Sequence, residues 1–388
     1  MQQTISTQSI MNDFSTSTGL SDNTREPRRY LWTDAFAVCN HLELYRQTGE
    51  ETSLQLALKL VDQVHQTLGK HRKDSKRSGW ISSLTEEQSQ LHPTQGGLRI
   101  GKPLDEHKPG DTVDESLEWE QDGQYFHYLT KWMHALNCVS RDTDKGLYNQ
   151  WALELAKVAH AAFTYTPSTG GAKRMVWKMS IDLSRPLVDS MGQHDPLDGL
   201  ITYLQLETTA KGFSDLPKEL SLKTEIEDMV VMCAGQNWAT QDSLGIGGLL
   251  TDAYKLVQLI EIYHLNETVR LETLLYDIEH SLQSFITNNQ LNLPAEYRLA
   301  FRELGLAIGL HTISRMQKCI EKNSDNYINA DQLISQLKKL SRFHRIHKFI
   351  ENYWLEPEHQ SIKTWQEHAD INNIMLATSL APDGYLRL

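Results

Sequence analysis

The chain has 388 residues, 39% hydrophobic and 23% charged, enough to bury a large core and too apolar for a disordered or fibrous polypeptide. Lys and Arg number 38 against 50 Asp and Glu, and the formal charge of −12 repels phosphate backbones and argues against a nucleic-acid partner. No apolar run approaches the roughly 18 residues of a membrane span, and the first 25 residues lack a signal-peptide centre, so a cytoplasmic protein with no membrane partner is expected.

In chain order, residues 1–27 are rich in Ser, Thr, Gln and Asn and read as a flexible tail. Apolar residues at three- and four-residue spacing then predict eleven helices, over about 33–47, 52–68, 124–140, 146–163, 197–208, 219–235, 246–264, 267–287, 295–317, 330–354 and 364–380. Two stretches break that rule. The connector 69–121, with Gly79-Trp80-Ile81 and Gly96-Gly97-Leu98-Arg99-Ile100-Gly101, reads as a lid folded over a pocket mouth. In 174–183, Met175, Trp177, Met179, Ile181 and Leu183 alternate with mostly polar residues as in a half-buried strand.

Odd-numbered helices are rich in small, aromatic and apolar residues, whereas even-numbered ones are generally more amphipathic. Hairpins with one covered and one exposed member suggest two concentric rings of helices in a single domain over 28–388; an irregular helical bundle is the plainer alternative. Cys39, Cys138, Cys233 and Cys319 are widely spaced, without a Cys-x-x-Cys pair, and read as reduced core thiols.

The hairpin count, the opening Leu31-Trp32-Thr33-Asp34-Ala35-Phe36, the entry Asp122-Gly123-Gln124-Tyr125-Phe126-His127 and the turn Gly192-Gln193-His194-Asp195-Pro196 together resemble the six-hairpin glycosidase-like superfamily over about residues 30–380. That resemblance implies an all-α (α/α)6 toroid with a small carbohydrate or sugar-derived ligand, to which the alternation over 174–183 adds a minor β-strand or ribbon near the pocket mouth. The group holds glycoside hydrolases and unsaturated glucuronyl hydrolases, with N-acylglucosamine 2-epimerases as close architectural relatives. No diagnostic catalytic motif of one family is matched, and eleven helices stand where twelve are expected.

The pocket would be lined by the loops entering the odd helices. Asp34, Asp122, Asp195 and Asp198 are the candidate catalytic carboxylates and His194 a candidate partner; Trp32, Trp80, Arg99, Tyr125, His127, Arg298 and His368 are candidate substrate contacts. Each has a plainer reading. Asp195 before Pro196 suits a helix cap, Asp34 a first-turn charge, Tyr125 and His127 core packing, and Arg298 a solvated face. Tyr128 and Trp132 read as core aromatics. His344, His347 and Glu351 share a helix face, but Lys338, Lys339, Arg342, Arg345 and Lys348 around them mark a basic solvated surface, so no metal and no cofactor is expected. The leading expectation is a glycoside hydrolase using two of the carboxylates. The alternatives are an epimerase or isomerase using histidine acid–base chemistry, and a non-catalytic binding scaffold.

Overall fold

A helix, α1 (Thr7–Ser17), occupies the segment expected to be a tail, with Ile10, Met11 and Phe14 buried. The computed structural model describes residues 6–22, 24–108, 110, 115–265 and 267–388. The chain divides into two compact units, Ser15–Ala234 and Met1–Phe14 with Gly235–Leu388.

The unit Ser15–Ala234 is built on three helical hairpins. The first pairs α2 (Leu31–Thr48) with α3 (Glu51–Leu68). Every residue of α2 from Leu31 to Leu44 is buried, and the helix stops at Gly49, whose left-handed backbone lets its N–H reach the Tyr45 carbonyl. The partner α3 buries one stripe, Ser53, Ala57, Leu60, Val61, Val64, His65 and Leu68. Two short helices, α4 (Glu86–Leu91) and α5 (Glu115–Glu118), lie in the connector; residues 109 and 111–114 of the expected lid lie outside the described residues. The second hairpin pairs α6 (Phe126–Thr143) with α7 (Gly146–Phe163), and the third α8 (Asp195–Ala210) with α9 (Lys223–Cys233). α8 comes close to α6 because Gly199 has no side chain: a Cβ there would meet the Phe126 ring at 3.0 Å.

The strand expected over 174–183 is two strands in two sheets. β1 (Gln124–Tyr125), β4 (Lys178–Met179) and β5 (Pro186–Val188) form one antiparallel sheet; β2 (Thr164–Tyr165) and β3 (Arg174–Met175) form the other. Met175, Met179 and Ile181 are buried as the alternation requires, but Lys178 is buried too. Its Nζ reaches Glu118 Oε1 at 2.7 Å and the carbonyls of Glu118 and Gln121, so ion pairing overrides the polar-out pattern.

In the second unit, α10 (Ser243–Tyr263) starts at Asp242, whose side chain accepts from the Gly245 N–H at 3.1 Å, and is followed by α11 (Thr268–Thr287). Gly247 packs α10 directly on α12 (Ala300–Leu310): a Cβ on Gly247 would stand 2.1 Å from the Gly305 carbonyl oxygen. The helix expected over 295–317 breaks at His311, giving α12 and α13 (Thr312–Lys322); that over 330–354 breaks into α14 (Ala330–Leu340) and α15 (Ile346–Leu355). At each break a hydroxyl takes a carbonyl three residues back, Thr312 to Gly309 at 2.7 Å and Ser341 to Lys338 at 2.6 Å, competing with the helical ladder. The chain ends with α16 (Pro357–Gln360), α17 (Lys363–Glu367), the mostly buried α18 (Ala369–Leu380) and α19 (Asp383–Leu386). Thr7 of α1 donates to the Ala377 carbonyl of α18, and a polar composition concealed this helix in the sequence.

The fold class is thus all-α with small strands. No helix among the described residues is long and apolar enough to cross a membrane.

Candidate functional site

Three helix entries of the unit Ser15–Ala234 carry the site. Trp32 comes from the first turn of α2, His127, Tyr128 and Lys131 from the first turns of α6, and His194, Asp195 and Asp198 from the entry to α8. β1 places Tyr125 just before α6, and the break between β3 and β4 places Trp177. The His127 ring stacks near-parallel on Trp177 (centroids 6.1 Å, 11°) and on Tyr125 (5.3 Å, 29°), with Tyr128 and Trp32 edge-on at 4.9 and 6.1 Å. Trp32 and Tyr128 also touch, at 5.2 Å, and the Tyr128 hydroxyl shares a hydrogen bond of 2.6 Å with that of Tyr30. His127, Tyr128, Trp177 and His194 keep partly exposed edges, so this aromatic cluster reaches solvent.

Nδ1 of His127 lies 3.8 Å from Oδ1 of Asp195, too long for a hydrogen bond. Burial pushes the Asp195 carboxyl up to about 7, aided by the charge of Asp198 and opposed by His194 and Lys131. The His127 imidazole is pushed down to about 3, first by burial and then by the Lys131 ammonium. At neutral pH the pair is therefore a neutral imidazole beside a carboxyl that shares its proton with solvent, not a salt bridge. Asp198 has a different environment: Lys131 Nζ lies 2.7 Å from both of its oxygens, and the Thr130 hydroxyl donates to it.

Nδ1 of His127, Oδ2 of Asp195 and Nε1 of Trp32 are buried with no hydrogen-bond partner among the described residues. Unsatisfied buried polar atoms are costly, and three on three elements around one ring cluster make it the candidate site.

Sequence reasoning had Asp195 as a possible helix cap. The cap position falls instead on His194, which makes no side-chain cap bond, and Asp195 is the first helical residue. Of the four candidate carboxylates, only Asp195 and Asp198 come together. Asp34 is held by Arg29 at 3.2 Å and accepts from the Tyr30 N–H at 2.9 Å, closing the start of α2. Asp122 accepts from Arg99 at 2.9 Å, Arg72 at 3.4 Å and the backbone N–H groups of Gly101 and Gly123, tying the connector to α6.

Arg99 serves that same knot, donating also to the Lys70 and Thr67 carbonyls, each at 3.0 Å. Trp80 donates to Glu86 at 2.8 Å beneath Lys70 and lines an open groove of about 480 Å³ with His71, Arg77 and Leu84. Arg298, expected on a solvated face or against a substrate anion, is buried: it grips Glu303 through Nε (2.8 Å) and Nη2 (2.6 Å) and lies 3.7 Å over the Tyr353 ring. His368 is exposed at the start of α18, edge-on to Phe301 at 5.8 Å. Both belong to the other unit.

Trp177 and Lys131 are the contributors that sequence reasoning passed over. Trp177 read as the buried face of a strand, and only the split between two sheets turns it to His127. Lys131 sat visibly one turn after His127, but its partner Asp198 is 67 residues away. Tyr128 read as core and lines the cluster, whereas Trp132 is core as expected, donating to His65 at 3.2 Å.

No family model and no curated protein matches the chain. Among solved structures, its fold is similar to that of the cellobiose 2-epimerase from Bacillus thermoamylovorans B4167. The two are 12% identical, with 87% of this chain and 88% of that one covered and a TM-score of 0.43. A likeness of this size assigns no residue and no activity.

Proposed function

We propose that the protein acts on a small sugar by proton transfer at the Asp195–His127 pair, as an epimerase or isomerase of carbonyl-containing sugars. The observation that carries this reading is the Asp195 carboxyl, pushed up to about 7 with an unpartnered Oδ2, facing a neutral imidazole inside an aromatic cluster. Rings such as Trp32, Tyr125 and Trp177 suit the apolar faces of a sugar. A carboxylate titrating near the working pH can take the proton from the carbon next to a carbonyl, since it is half ionised and returns the proton easily. The electron pair left on carbon moves into the carbonyl, forming an enolate, and a neutral imidazole N–H is a fitting donor to that oxygen. Return of the proton to the opposite face inverts the centre, and His194, at the same helix entry, is the candidate carrier for it.

Hydrolysis by two carboxylates is the second reading, favoured by Asp198 standing one turn from Asp195. It is the weaker one because Asp198 is occupied by Lys131 and Thr130, and Asp34 and Asp122 by arginines. Incubation with a panel of aldoses, ketoses and disaccharides in deuterated water tests both. The proposal expects deuterium at the carbon next to the carbonyl with wild type and its loss with Asp195→Asn. Release of reducing sugar without exchange would favour hydrolysis. Neither reaction, with no sugar altering tryptophan fluorescence or thermal stability, would overturn both readings.

A further inference from the structure

We propose a second site, for a divalent transition metal, in the unit that ends the chain: His311, His347 and Glu351 form a two-histidine, one-carboxylate set suited to Zn²⁺. His347 and Glu351 are four residues apart on α15 and share its inner face, and His311 meets them from the junction of α12 and α13. Their ligand atoms all lie within 4.8 Å of one another. His311 Nε2 is 2.8 Å from Glu351 Oε1, and the two imidazole centroids are 4.1 Å apart. Ligand atoms around a tetrahedral zinc are about 3.5 Å apart, so side-chain shifts of about 1 Å would complete the set.

The surroundings match what metal ligands need. The His347 Nδ1–H donates to the His344 carbonyl, which leaves Nε2 as the lone-pair nitrogen. Ser379 donates to Glu351 Oε1 at 2.6 Å, orienting the carboxylate. His347 and Glu351 are buried while a fifth of the His311 side chain is exposed, so a fourth position would be open to water. The basic residues that argued against a metal, Lys338, Lys339, Arg342, Arg345 and Lys348, are all exposed, where solvent screens them; the sequence reading of a solvated ladder does not hold for His347 and Glu351. Two neutral imidazoles and one carboxylate select a borderline ion such as Zn²⁺ over Mg²⁺ or Ca²⁺, which take oxygen ligands.

The full chain, stripped with chelator, is titrated with Co²⁺ and with Zn²⁺. One equivalent of cobalt should give the visible band of a four- or five-coordinate ion without a thiolate charge-transfer band. Glu351→Gln and His347→Ala should each weaken binding at least tenfold, and Cys138→Ser should leave it unchanged. The serine variant separates this site from Cys39, His134 and Cys138, the other group of potential ligands among the described residues. If the α15 variants do not fold, X-ray absorption of the wild-type zinc form reads the ligands directly, with two imidazoles and oxygen expected. No stoichiometric binding, sulfur in the coordination shell, or a band that survives Glu351→Gln would overturn the proposal.

Discussion

Asp195→Asn removes a buried charge while keeping the shape of the side chain. The carboxyl has an ordinary value of 3.8 and stands at about 7 in the folded chain. Between those values the folded chain holds a proton that the unfolded chain releases, so the stability this group contributes is complete below pH 4 and lost as pH rises to 7. A difference of about three units at about 1.4 kcal/mol each puts the cost of the ionised form at pH 8 at about 4 kcal/mol, an upper bound because water entering the cluster screens the charge. In a unit of this size that corresponds to a rise of up to about 10 °C in melting temperature. Asparagine does not titrate, and His127 titrates in both proteins and drops out of the difference. Scanning calorimetry from pH 4 to pH 8 should therefore find the variant level with wild type at pH 4, increasingly more stable as pH rises to about 7 and holding that lead to pH 8, while proton exchange into sugar is lost. A constant difference at all pH values, or a less stable variant at pH 8, would refute the assignment of the raised carboxyl.

Asp122→Ala leaves Arg99 and Arg72, whose side chains are 13% and 9% exposed, without their buried anion; a loss of about 3–5 kcal/mol is expected, seen as earlier proteolysis of the 69–121 connector. Gly247→Ala forces a Cβ against the Gly305 carbonyl and should cost about 1–3 kcal/mol or more by denaturant melting, whereas Gly245→Ala, whose Cβ first meets Thr240 at 3.1 Å, should cost far less. Deleting residues 1–17 removes buried Ile10, Met11 and Phe14, at about 1.5–3 kcal/mol each, so the melting temperature should fall by several degrees; an unchanged value would mean a dispensable tail after all.

Much of the architecture is legible in the residues because helix burial is a local, periodic property. The contrast between α2, buried from Leu31 to Leu44, and the single stripe of α3 is visible as composition before any coordinate is known. The glycines of 245–248 likewise announce close approach, although only the structure supplies the facing Gly305 and Gly309. Helix α1 escaped because three apolar side chains among Ser, Thr and Asn make a weak periodic signal, and what orders them is the surface they cover.

The site divides the same way. Sequence alone named Trp32, Tyr125, His127, His194, Asp195 and Asp198, because aromatic, imidazole and carboxyl groups collect at helix entries. It could not separate Asp195 from Asp34 and Asp122, which look alike in a string of letters. Arginine pairing holds Asp34 and Asp122, whereas at Asp195 desolvation outweighs the nearby charges of Lys131 and His194. Ionisation depends on the sum of charges and solvent within several ångströms, and that neighbourhood is assembled from residues such as Lys131 and Asp198, 67 positions apart, only when the chain folds.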